Sequence, residues 1–228
     1  MFLYRKTLQI PSKFVLYGER HSGTKFFEQV IRSTYSLLPN NDYGQKHFFG
    51  FANHKQISID EKTIFFCIVR NPYHWIAAMN SLPHHVSHSL LPLYDHLFDE
   101  WYSISQYWRV WDHKPVTIIN NEIMEDRHLS LNRRYKNILE LRNVKNNYLL
   151  NILPIYAHNL VVISYEELMA NHNTILNNIG KSFLLSVNDI DKIKIVPSNN
   201  RFLPEHLIQQ INPYLDWQTE NLLGYTKL

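Results

Sequence analysis

The residues from 18 to 25 read Gly18-Glu19-Arg20-His21-Ser22-Gly23-Thr24-Lys25, a run of small, hydroxyl-bearing and cationic side chains. Hydroxyls flank Gly23, and Arg20, His21 and Lys25 bring positive or protonatable groups to the same stretch. An apolar segment, Phe14-Val15-Leu16-Tyr17, comes before it. An amphipathic pattern follows from Thr24 to about Tyr35, with Phe27, Val30 and Ile31 on its inner side. A strand, a tight loop and a helix in that order aim successive backbone N–H groups and a helix N-terminus at one point. The chemistry expected there is anion binding.

The spacing of Gly18 and Gly23 matches a nucleotide-binding P-loop, but the next two residues are exchanged. Thr24 stands where that motif places its lysine, and Lys25 stands where it places the magnesium-binding hydroxyl. Ser22, Gly23 and Thr24 can still wrap a phosphate with two hydroxyls and backbone N–H groups. Three other segments carry chemistry. Lys46-His47 sets a cation beside an imidazole, which titrates near neutral pH. Arg70-Asn71-Pro72 closes the apolar run Thr63–Val69 with a guanidinium suited to bidentate anion contact. Tyr165-Glu166-Glu167-Leu168 follows the apolar run Leu160–Ile163 and opens a helix.

Together these segments resemble the sulfotransferases that use 3′-phosphoadenosine 5′-phosphosulfate (PAPS). The likeness is to the subgroup with a Gly-Glu-Arg-x-Ser-Gly-Thr phosphosulfate loop, and it covers about residues 13–180. It implies that Arg20, His21, Ser22, Gly23, Thr24 and Lys25 cradle the donor and that Arg70 holds its 3′-phosphate. Arg201 would close over the nucleotide from the tail. His47 would be the general base, with Lys46 and His21 assisting at the leaving group. The implied reaction is sulfuryl transfer from PAPS to a hydroxyl or amine of a small-molecule or glycan acceptor, with no metal obligatory. Two positions depart from the family pattern. His21 replaces the family lysine, with Arg20 next to it as an alternative charge. Ala78 replaces a serine eight residues after the arginine, with Asn80 and Ser81 nearby. Glu166 is either a second candidate base, a residue that orients a loop, or a first-turn helix carboxylate. Two other functions stay open: a P-loop kinase or NTPase, and a catalytically silent nucleotide-binding module on the same fold.

These segments require an α/β frame. Buried strands are expected at 14–17, 63–69 and 160–163, with another at 116–119. Helices are expected at 24–35, at 72–80 starting on Pro72, at 97–111, at 132–153, and at 165–179. Alternation of this kind predicts a P-loop NTPase-like three-layer sandwich with a mostly parallel sheet, in a single domain over residues 1–228. The segment 82–95 is expected to be a loop, and the tail after Gly180 to be irregular. Arg142 and Lys145 read as a solvated helix face. Trp101, Tyr102, Tyr107, Trp108 and Trp111 read as core, with some lining an acceptor pocket.

Composition bounds the rest. With 228 residues and 45% hydrophobic content, the chain can bury a sizeable core. A net charge of +3 is too small to argue for nucleic acid and suits an anionic small molecule. The lone Cys67 lies in an apolar run, where a packed thiol is expected. The thirteen histidines form no HExxH pattern and read as loop or surface groups. No apolar stretch reaches the length of a membrane span, and no leader-like segment is present, so a soluble cytoplasmic protein is expected.

Overall fold

Every residue of Thr63–Val69 is buried, as a strand covered on both faces requires. This is β4, the centre of a five-stranded sheet in a computed structural model that describes residues 1–105, 121–188, 193 and 201–228. The other strands are β1 (Phe2–Arg5), β2 (Lys13–Tyr17), β3 (Leu38–Pro39) and β5 (Asn159–Ser164), in the order β1-β5-β4-β2-β3. Strands β2 to β5 run parallel. Val15 sits opposite Phe65, and Phe66 opposite Val161. Strand β1 pairs antiparallel with β5 and makes the sheet mixed. No strand was expected at 2–5.

Side chains alternate across this sheet, as the two-residue strand period requires. Phe14, Leu16, Phe66 and Ile163 face α1 (Thr24–Thr34) and α6 (Tyr165–Phe183). Tyr17, Phe65, Cys67 and Val162 face α2 (His54–Ile59) and the helical stretch that ends in α5. That stretch is α4 (Ile138–Asn147), a π-helical segment (Tyr148–Ile152) and α5 (Leu153–Tyr156). Cys67 is a buried free thiol, and burial raises its pKa. A second apolar cluster lies beside the sheet. It joins α3 (Pro72–Ser81) to Val86, Leu93 and Trp101, to Ile138 and Leu141 of α4, and to α7 (Glu205–Ile211).

Several expectations are corrected. Residues 97–105 are not helical. Trp101 exchanges backbone hydrogen bonds with Tyr135, and bridges join Val86 to Ser103 and Ile104 to Glu122. Tertiary pairing overrides the apolar spacing there. The rest of that expected helix, with Tyr107, Trp108 and Trp111, and the strand at 116–119 lie outside the described residues. The long helix begins at Ile138 rather than Asn132. Asn132 has φ +49°, and the Asn137 side chain caps α4 by accepting from the Glu140 N–H at 2.8 Å. Arg142 and Lys145 are not a solvated face; they are 3% and 0% exposed. The tail is not irregular throughout. Besides α7 it forms α8 (Trp217–Leu222), started by Asp216, whose carboxylate accepts from the Gln218 and Thr219 N–H groups. The segment 82–95 is a loop with short 3-10 turns, and its Val86, Leu90 and Leu93 are core. Among the described residues no helix is long and apolar enough to cross a membrane.

Candidate functional site

The loop leaves β2 under tight constraint. A Cβ at Gly18 would lie 2.5 Å from the Ile68 carbonyl oxygen, so the backbone is pressed against β4. The Ser22 N–H donates to the Glu19 carbonyl at 3.1 Å, and His21 (φ +62°) and Gly23 (φ +89°) turn the chain into α1. Gly23 is required twice over. Its φ is left-handed, and a Cβ would meet the Tyr165 ring at 2.4 Å. Helix α1 starts with no side-chain cap and no acidic residue in its first turn. Its leading N–H groups therefore keep the anion-binding character of an uncapped helix N-terminus. Ser22 and Thr24 are buried in the turn, and Lys25 is exposed.

Arg70 reaches this loop from the end of β4. Its Nη1 donates to the His21 carbonyl at 3.1 Å, and its guanidinium lies 5.1 Å from the centroid of the Tyr165 ring. The turn that carries it is braced from three sides. The Asn71 side chain caps α3 by accepting from the Tyr73 and His74 N–H groups. The Asn71 N–H donates to Glu166 Oε1 at 3.0 Å, while Glu166 Oε2 accepts from the Tyr225 hydroxyl at 2.9 Å. Arg142 donates to the Arg70 carbonyl and forms a buried two-point ion pair with Glu220 at 2.6 and 2.8 Å. Glu166 thus orients the turn.

Lys46 and His47 dock against the start of the loop. The Gly18 N–H donates to the Lys46 carbonyl at 3.0 Å, and His47 Nδ1 donates to the Gly18 carbonyl at 2.8 Å. That bond fixes the neutral tautomer and leaves Nε2 as the ring's acceptor. Burial, opposed by the Gly18 carbonyl and reinforced by the Arg20 and Lys46 charges, lowers the His47 pKa to about 3. Burial and the neighbouring His85 lower that of His84 to about 4. The ring centroids of His47 and His84 are 6.5 Å apart, and those of His84 and His85 are 4.1 Å apart. The Lys46 ammonium pairs with Glu28 at 3.2 Å on a partly exposed surface. Four histidines expected on loops or the surface are therefore half-buried, three of them grouped at this loop and the fourth, His21, within it. Among the described residues no group of three or more His, Cys, Asp or Glu side chains could hold a metal ion.

His21 also belongs to the site. Burial comes first in lowering its pKa, followed by the charges of Arg20, Arg70 and Arg201, against an opposing hydrogen bond to the Leu82 backbone. Its Nε2 is buried without a hydrogen-bond partner. The influence of Arg201 on both His21 and Tyr94 puts that exposed arginine beside the loop.

Arg20 is the exception among the cradle residues. It is 1% exposed and turns inward, donating to Glu19, to Ser103 at 2.6 Å and to Asp126 at 2.9 Å. Lys145 completes this cluster. Its ammonium donates to Glu19 at 2.6 Å, to the His47 carbonyl at 2.8 Å and to Asp126. Burial alone would raise the Glu19 pKa; Lys145 and Arg20 outweigh it and hold the carboxyl below its ordinary value. Arg20 is thus a positioning residue under the loop, and its charge is committed to carboxylates. Sequence reading missed Lys145 and Asp126. The signal for Lys145 was present, because Ile138, Arg142, Lys145 and Leu149 fall on one helical stripe. Asp126 gave none. Nor do Asn80 and Ser81 replace the hydroxyl absent at Ala78. The Asn80 side chain accepts from the Tyr94 N–H, and the Ser81 hydroxyl donates to the Ala77 carbonyl.

No protein-family model, curated protein or solved structure matches this chain, so its residues and their arrangement carry the functional argument.

Proposed function

We propose that the chain is a PAPS-dependent sulfotransferase built on a P-loop NTPase-like three-layer sandwich. One contact carries this reading: the Arg70 guanidinium donates to the His21 carbonyl. It joins a loop after β2 to a turn after β4, segments that read separately as a phosphosulfate cradle and a 3′-phosphate clamp. Parallel strands with helices on both faces support the architecture, since ligands of such sheets lie beyond the carboxyl ends of the strands.

The residues fit a donor with two anionic ends. The uncapped start of α1, Ser22 and Thr24 suit the phosphosulfate, and Arg70, with Arg201 nearby, suits the 3′-phosphate. PAPS supplies a sulfuryl group whose bond to the 5′-phosphate oxygen breaks, with the electron pair leaving on adenosine 3′,5′-bisphosphate, as the acceptor oxygen bonds to sulfur. The chain's part is positioning and charge stabilisation. His47, with Nδ1 engaged by Gly18, presents Nε2 to take the acceptor proton. An anionic donor next to this imidazole raises its pKa from the low value of the empty site toward the working range. His21 Nε2, buried without a partner, meets the donor's bridging oxygen once the ring is protonated.

Calorimetric titration with adenosine 3′,5′-bisphosphate, with Mg-ATP as the parallel arm, tests the donor site. Micromolar, metal-independent binding of the bisphosphate and weak binding of ATP are expected. Tight Mg-ATP binding with no bisphosphate signal would make a kinase or NTPase the better reading.

A further inference from the structure

A cleft of about 650 Å³ opens next to the histidines, between residues 42–53 and 121–125. Its wall includes Phe48 and His85, whose rings meet edge to face at 5.5 Å. These two directly follow His47 and His84, which contact each other and, through His47, the Gly18 carbonyl. The cleft therefore shares a wall with the candidate proton acceptor.

Its lining has a definite chemical character. Phe48 and the 43% exposed Phe51 offer ring faces in an otherwise polar hollow, where the CH face of a sugar packs well. Gln45 and Asn53 offer amides for hydroxyl groups. The charged lining consists of Asp42, Glu122 and Glu125, with no lysine or arginine. Arg127 and Arg134 neutralise Glu122. Asp42 and Glu125 form no ion pair among the described residues and are exposed. A polyanionic chain would be repelled here, whereas an ammonium group would be held by the two carboxylates.

We infer that this cleft binds an amino sugar, its ring face on Phe48 and Phe51 and its ammonium between Asp42 and Glu125. Its role as the acceptor site rests on the sulfotransferase reading; its occupancy does not. Because the whole chain carries a net charge of +3, general attraction does not favour a cation, so such binding reports the cleft itself.

The test is calorimetric titration with a glucosamine pentamer, its fully N-acetylated counterpart and a heparin pentasaccharide, at a pH where the amines are protonated. The wild type is expected to bind the glucosamine pentamer at least tenfold more tightly than the other two. In an Asp42→Asn/Glu125→Gln variant that preference should vanish, while affinity for adenosine 3′,5′-bisphosphate stays unchanged and reports an intact fold. Equal affinity for the acetylated and free-amine pentamers, tighter heparin binding, or a variant that keeps the preference would overturn the proposal. If the bisphosphate binds but the pentamer does not, the cleft assignment falls alone. If the pentamer binds with the expected variant effect but the bisphosphate does not, the cleft stands and the transferase reading falls.

Discussion

Lys145 and Glu19 form a 2.6 Å ion pair in which the lysine side chain has no solvent exposure and the carboxylate has 8%. The same ammonium holds the His47 carbonyl, so one side chain of α4 sets both the phosphate loop and the candidate base. Removing it would leave Glu19 and Asp126 buried without their lysine. Lys145→Met is expected to destabilise the fold by about 3–5 kcal/mol. Urea denaturation measures this, and a Glu19→Gln/Lys145→Met double variant should lose less than the sum of the two single losses. Additive losses would show that the pair is not coupled.

Gly23→Ala should damage the loop even though the change is one methyl group. The new Cβ meets the Tyr165 ring, and φ +89° is strained for alanine at a cost of about 1–3 kcal/mol. Trimming the ring with Tyr165→Ala relieves the first problem but not the second. A Gly23→Ala/Tyr165→Ala double variant should therefore recover only part of the lost thermal stability. Full recovery would mean that backbone conformation at Gly23 is unimportant.

Arg70 and Glu166 should separate binding from support. Arg70→Lys keeps the charge but cannot both donate to the His21 carbonyl and lie flat over Tyr165. Bisphosphate affinity is expected to fall at least tenfold, and further in Arg70→Ala. Glu166→Gln keeps an oxygen that can accept from the Asn71 N–H. It should weaken bisphosphate binding modestly and leave the pH dependence of any transfer activity unchanged. A pH profile displaced by Glu166→Gln would make that carboxylate the base.

His47 makes stability depend on pH with a definite sign. Folded, it takes up a proton only near pH 3; unfolded, it does so near its ordinary 6.5. Between those values the unfolded state binds more protons, so stability rises with pH. The contribution is complete above about pH 6.5 and is lost as the pH falls toward 3, and His84 acts in the same direction. Urea midpoints between pH 7.5 and 4.5 should fall less steeply in His47→Asn than in the wild type. Parallel slopes would mean that His47 is not buried in its neutral form.

Where local pattern and tertiary environment agree, the sequence was a good guide. Thr63–Val69 is apolar throughout and buried on both faces, and Pro72 opens α3 as its fixed φ allows. The loop around Gly23 was legible because its glycine, its hydroxyls and the following helix pattern all point to one geometry. Arg20 was misjudged because a cation in an anion-binding loop looks like a ligand group until its partners appear. Those partners, Ser103 and Asp126, are 83 and 106 residues away, and no local pattern carries that distance. Trp101 was misjudged for the reverse reason: helical spacing around it was real, but its backbone pairs with Tyr135. The short strand Phe2–Arg5 lacks a long apolar run because it lies at the sheet edge, with Tyr4 39% exposed.

The π-helical segment Tyr148–Ile152 bears on how the chain tolerates changes in length. A π turn holds one more residue than the α turn it replaces. It shifts the buried position to Leu153, where an uninterrupted 3.6-residue period through Leu149 would favour Ile152. Deleting Asn151 would let the segment close as ordinary α-helix, but everything beyond would rotate by about 100°. Leu153 would swing off the core, and the approach to β5 would turn with it. A one-residue gap here is therefore a change of phase for all that follows, and related chains aligned across this point should keep the extra residue.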